Sequence, residues 1–322
     1  MALSDMKVYQ DEIQGTTIEL VGQKMDAFNA SSGNALQLSA AGFMGDFSKE
    51  SFFNTLSGAQ RRVDRNAAIA SQSSTALTAA EMVGVKVAGG FGPILFEPSQ
   101  LTYLQEQPAS AIRAISEAFS DALLQDQLNT ALACAVAAVE NVAALTNDYS
   151  ATGAIDPKVI NQADGKFSDM SGLIRTRFMR GSTYHNLVDW NIDNGDKLFT
   201  SQGIEVVDYK GKIVVVTDAP ALYEAGTPNK DKVLNVVAGG IIVDNTSDVI
   251  SNMDTTNGKT RIETTWQSDY TFGVKLKGYS WDTANGGASP TDAELATGSN
   301  WDINVSDNKH TLGTIAVGDA DA

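Results

Sequence analysis

The chain has 322 residues with 39 acidic and 23 basic side chains, a net charge of −16, and 43% hydrophobic residues. The apolar share excludes a wholly disordered chain, and the acidity excludes a general binder of phosphate backbones, which are themselves polyanionic. One cysteine, Cys134, excludes an internal disulfide or a CxxC site, and two histidines, His185 and His310, leave little for imidazole metal sites or triads.

The opening MALSDMKVYQDEIQGTTIEL lacks a basic segment followed by an apolar run, so no secretory signal is expected. The longest apolar tract, residues 131–139, is about half of the ~20 residues a membrane span needs, and no membrane partner is expected. Residues 1–58 hold short apolar clusters at 25–28 and 43–53 that cannot bury themselves alone, which predicts an arm lying on another surface. Next comes a basic run containing Arg61, Arg62 and Arg65, then a small polar stretch. Val83, Val85 and Val87 alternate with Gly84 and Lys86, which predicts a strand with three valines on one face. Glycines 89, 90 and 92, around Phe91, predict a turn into a short return strand at 94–96. A lone two-stranded ribbon is marginal in water, so its apolar face is expected to rest on a second subunit.

The clearest element is a helix from Pro108 to about residue 145, with apolar positions at Ile112, Ile115, Phe119, Leu123, Leu128 and Leu132. At 1.5 Å per residue it is ~50 Å long. Its second half, ALACAVAAV, is apolar on nearly every side and is expected to be covered from more than one direction. Residues 150–245 read as an α/β unit: Asp156-Pro157 starts a helix, 173–179 is a strand, and Ser182 caps a further helix. Strands follow at 204–208, 213–217, 233–237 and 241–243, and later at 261–266 and 272–281. The acid-rich final 40 residues contain two further strand candidates, 301–303 and 312–317.

No catalytic constellation emerges. Gly90-Phe91-Gly92 begins like a dinucleotide fingerprint, but Leu95 stands at the third glycine position and no helix follows. The acid- and Asn-rich stretch 244–258 lacks the ligand spacing of a calcium loop and is read as a solvated turn. His185 near Ser182 is read as a surface histidine, Cys134 as a buried small hydrophobe, and Arg175, Arg177 and Arg180 as ion-pair partners for the chain's many carboxylates. No catalytic, metal or cofactor residue is therefore assigned.

The segment GVKLKGYSW at 273–281, the phrase SPTDAELA at 289–296 followed by Ser299-Asn300-Trp301, FMRGSTYHNL at 178–187 and KIVVVTDAP at 212–220 resemble the major capsid proteins of tailed bacteriophages. The resemblance implies an α+β, Hong Kong 97-type fold. By it, 1–58 is an N-terminal arm and 59–104 an extended loop. Residues 105–149 and 246–282 form a peripheral domain with a spine helix, 150–245 an axial domain, and 283–322 a C-terminal extension. It implies a non-enzymatic virion protein, assembled in the host bacterial cytoplasm, whose pentamers and hexamers close an icosahedral head shell. The implied partners are sister copies, scaffolding, portal and decoration proteins, and packaged DNA without sequence-specific contact. Arg61, Arg62, Arg65, Val83, Val85, Lys86, Val87 and Phe91 are the intersubunit candidates. In one branch a loop lysine bonds to a neighbour's asparagine; Lys86 is placed for this, although a strand-face lysine is ordinarily just solvated. The alternatives are an encapsulin-type nanocompartment shell, which shares the fold, and an acidic surface-layer protein.

Overall fold

A computed structural model describes residues 16–322 apart from 22–23, 26–27, 40–41, 54–60, 67, 69–70, 73, 75, 78, 98–107, 195–205, 210, 246–248 and 259. Its elements are strands β1 (Leu36–Ser39), β2 (Phe47–Phe53) and β3 (Ala79–Phe96), then helix α1 (Pro108–Glu140). β4 (Thr146–Asp148), α2 (Pro157–Gly165), β5 (Ile174–Met179), α3 (Gly181–Asn194), β6 (Val206–Tyr209) and β7 (Lys212–Val216) follow. The chain continues through β8 (Tyr223–Glu224), β9 (Lys230–Val237), β10 (Ile241–Asn245), β11 (Ile250–Thr256) and β12 (Glu263–Leu276). It finishes with β13 (Tyr279–Trp281), the short α4 (Asp292–Leu295), β14 (Trp301–Ile303) and β15 (Gly313–Asp319).

Two large sheets enclose α1. The six-stranded sheet runs β1-β10-β12-β3-β2, with β11 also on β12, and the seven-stranded sheet runs β4-β15-β9-β5-β7-β6, with β8 on β9. The expected glycine turn at 88–93 does not form: β3 is one continuous strand of 18 residues through Gly89 and Gly90, paired with β12 from Val85↔Val274 to Phe96↔Thr264. The physical reason lies across the ladder. Gly89 stands opposite Tyr270, and a Cβ there would meet the Tyr270 ring at 2.5 Å. The glycine makes room for an aromatic ring folded over the strand.

Once β3 joins this sheet, its valine face is satisfied by its own chain. Val83, Val85 and Val87 are 8%, 0% and 4% exposed and belong to the main core. Phe91 packs on Phe119 and Trp266, with centroids 5.1 and 5.8 Å away. The expectation that Val83, Val85 and Val87 touch a neighbouring subunit is therefore corrected, the missing strand being β12, about 180 positions further along the chain, whereas Phe91 packs against this core while only half-buried. Residues 1–15 and 54–58 of the expected arm lie outside the described residues, and the described part rests on its own chain. Val21 and Met25 lie in the same core, β1 pairs in parallel with β10, and Thr176 Oγ1 donates to the Ser32 carbonyl at 2.6 Å.

Helix α1 is the expected spine. Phe119, Leu123 and Leu132 are buried, Ile115 and Leu128 half-buried, and the Ile112 side chain lies outside the described residues. Phe119 meets Trp266 edge-on at 5.4 Å, tying the helix to β12; such pairs add ~1 kcal/mol to the area they bury. Cys134 and most of its alanine neighbours are fully buried in a core that joins both sheets, which is why this half needs no polar face. Length and composition would let Arg113–Glu140 cross a membrane, but the enclosing sheets make it a core helix.

The α/β unit is confirmed at its start: the Asp156 carboxylate accepts from the Val159 N–H at 2.7 Å, with Pro157 in the first turn of α2. Ser182 does not cap α3. It lies within the first turn, and its hydroxyl donates to Asp231 instead, at 3.2 Å. The unit does not run on to residue 245, since β10 belongs to the six-stranded sheet, with β12. Nor does the C-terminal stretch stand apart. β15 lies between β4 and β9, and six of its seven residues are buried.

Candidate functional site

The sequence candidates separate into two groups. Val83, Val85 and Val87 are internal, while Phe91 is half-buried and Lys86 lies half-buried with its ammonium 5.5 Å from the Phe43 ring centroid. By contrast, every described residue from 61 to 77 is exposed, Arg61, Arg62 and Arg65 among them. Two apolar side chains in this segment, Val63 at 66% and Leu77 at 53%, project into solvent. The segment links β2 to β3, which are antiparallel neighbours, so it is an extension growing from the edge of the six-stranded sheet.

A second exposed surface has no clear signal in the sequence. The inner face of β12 is buried, while its outer face carries Thr265, Gln267 and Asp269 beside Ile250, 73% exposed, and Leu95, 41% exposed. A shallow cleft of about 370 Å³ runs here, lined by residues including Pro93, Ile250, Asn252, Thr265 and Gln267. Ile262, at the turn into β12, is 60% exposed.

Charged groups inside the fold are paired by structure. Asp231 accepts from Arg180 Nη1 at 2.9 Å and from the Thr183 hydroxyl at 2.8 Å. Lys232 Nζ lies 2.8 Å from Glu140 and 2.9 Å from Glu224. Burial pulls the Lys232 ammonium down, but its bonds to the two glutamates outweigh this and hold its pKa above the ordinary value. Arg177 and Lys212 both donate to one oxygen of Asp164, each at 2.6 Å. Arg177 and Arg180 thus satisfy the ion-pair expectation within one chain.

The Ser182 and Thr183 hydroxyls donate to an Asp231 carboxylate that is already engaged by Arg180. Burial pushes the Cys134 thiol far up, and burial with the bond to Asp126 does the same to Tyr270. His185 is exposed on α3 beside the Tyr184 ring, 5.5 Å between centroids. Stretch 244–258 contains β11, and Asp244 is bound by Lys275 at 2.9 Å. Among the described residues no group of three or more His, Cys, Asp or Glu side chains is gathered as a metal site would require.

A family model described as Gp13-like, major capsid protein 13-like, matches residues 5–315. No curated protein matches the chain. Among solved structures, the cyanophage Pam1 capsid asymmetric unit is similar with a TM-score of 0.54 at 13% identity, covering 88% of each chain. A chain from Mycobacterium phage Cain is similar with a TM-score of 0.52 at 11% identity, covering 90% of this chain and 89% of that one. At such identities the likeness concerns the fold.

Proposed function

The chain belongs to the Gp13-like family of major capsid proteins, a structural, non-enzymatic role in the phage head shell, and we propose that the exposed segment between β2 and β3 supplies its principal contact with sister copies. The observation that carries this reading is the exposure of every described residue from 61 to 77 together with its chemistry. Three arginines and two exposed apolar side chains stand on a chain whose net charge is −16. Such a segment finds a complementary surface on any acidic neighbour of its own kind.

The contact is heterologous, one patch meeting a different patch on the next copy, so rings of five and six close when the rotation allows and an icosahedral shell follows. The outer face of β11, β12 and β3, with Ile250 and Leu95, is the complementary candidate. Acidity suits a wall that must not cling to packaged DNA, which it encloses without reading sequence. Scaffolding, portal and decoration proteins, and assembly in the host cytoplasm, complete the reading.

The test is the triple variant Arg61→Glu, Arg62→Glu and Arg65→Glu. All three side chains are exposed, so the urea unfolding midpoint of the subunit should stay unchanged. Electron microscopy and sedimentation should show subunits or small oligomers in place of shells. Shells of normal size and yield from the triple variant would refute the assignment.

A further inference from the structure

We infer that Asn257 is a self-modifying site, half of an Asn-Gly pair that the fold leaves poised to lose its side-chain amide and become a carboxylate. The sequence holds three such pairs, at 194–195, 257–258 and 285–286. Gly195 lies outside the described residues, so the structure compares the other two. Asn257 and Gly258 are both exposed, in the turn that follows Thr256↔Glu263, the last ladder pair of the β11–β12 hairpin. Gly258 has φ +89°, and a Cβ built there would meet nothing within 4 Å. The backbone nitrogen of such a glycine can swing onto the side chain before it, since no Cβ hinders the approach. Asn285-Gly286 is held instead. The Gly286 N–H donates to the Asp282 carbonyl at 2.8 Å, and the Asn285 side-chain amide donates to the Asp282 carboxylate at 2.5 Å. Gly286 is buried against Trp281, whose ring a Cβ would meet at 2.1 Å.

The chemistry needs only water. The Gly258 nitrogen attacks Cγ of Asn257; the N–Cγ bond forms, the Cγ–Nδ2 bond breaks, and ammonia leaves with the proton of the backbone amide. Water then adds to either carbonyl of the cyclic imide and breaks its bond to the ring nitrogen. One opening gives an aspartate at position 257, the other an isoaspartate whose side-chain carbon has entered the main chain. Both replace a neutral amide by a carboxylate. The turn accommodates the added backbone carbon because it lies beyond the ladder. Older subunits thus carry a negative charge on this hairpin that fresh ones lack. None of this depends on assembly.

The test holds unassembled subunits at mildly alkaline pH, sampled over weeks, beside the same chain unfolded in guanidinium chloride. Peptide mapping with electron-transfer fragmentation reads the gain of about 1 Da and the isoaspartate at each pair. In the folded protein position 257 should convert about tenfold faster than 285, the factor in rate that one hydrogen bond to be broken imposes. In the unfolded chain the two should convert at similar rates. Gly258→Ala should slow conversion at 257 and leave 285 unchanged. Equal rates at 257 and 285 in the folded protein, a difference that persists unchanged in the unfolded chain, or an unslowed Gly258→Ala variant overturns the proposal. The first two comparisons are made on the wild type, so poor folding of the variant leaves the test decisive.

Discussion

Val85→Ala separates the two places the valine face of β3 could have been buried. Val85 is 0% exposed, paired with Phe47 on one side and Val274 on the other. The substitution removes two methyl groups, which at ~0.8 kcal/mol per carbon is about 1.6 kcal/mol of transfer free energy. The pairing on both edges limits collapse, so the cavity left behind adds up to ~1 kcal/mol. A loss of about 1.6–2.6 kcal/mol lowers the folded-to-unfolded ratio by roughly 15- to 80-fold. The assay is equilibrium urea unfolding of unassembled subunits, followed by tryptophan fluorescence, since Trp266 lies in the same core. The midpoint should fall while the denaturant slope is kept. If the midpoint held and shell yield alone fell, the valine would be an intersubunit residue and the assignment of this face to the chain's own core would be wrong.

Two further outcomes test the buried charges. Lys232→Met leaves Glu140 and Glu224 facing each other and should cost about 2–3 kcal/mol in urea unfolding, below the usual figure for a buried pair because Glu224 is half exposed. The raised Lys232 pKa makes its contribution complete below the unfolded lysine value near ~10.4 and lost as pH rises through the higher folded value. An alkaline fall in stability that persists unchanged in the variant would contradict this. Asp126→Asn should act in the other direction. Burial holds the Asp126 pKa above its ordinary value, with Asp292 adding to this against the Tyr270 hydrogen bond, and an asparagine oxygen still accepts from Tyr270. A raised carboxyl penalises the folded state above its folded pKa, and the penalty fades as pH falls through that value towards the unfolded one near ~3.9. The variant should therefore melt higher than wild type at pH 7, by less than about 1 kcal/mol after solvent screening, and the gap should close by pH 3. Equal melting temperatures throughout would refute it.

Local pattern made the spine helix legible, because uninterrupted apolar spacing from Pro108 onward needs no distant partner to be recognised. Asp156-Pro157 was equally plain, since a cap is decided within three residues. Pairing across long separations was not. The valines of β3 alternate whether their partner is β12 or another molecule, and only the ladder from Val85 to Phe96 decides. Gly89 and Gly90 carried the composition of a turn while serving a ring on the opposite strand. Of the candidate site, Arg61, Arg62 and Arg65 were legible as cations without local partners. Ile250 and Ile262 were not, because alternation shows that a strand has two faces but not which face the helix covers. The trio of Asp164, Arg177 and Lys212 was half visible as an arginine cluster; its carboxylate came from a separate helix.

The position of β15 has a consequence for biosynthesis. It fills the gap between β4 and β9, so a nascent chain still short of residue 319 holds both of those strands with an open seam. The half-made protein therefore lacks a finished lobe until translation has passed that point.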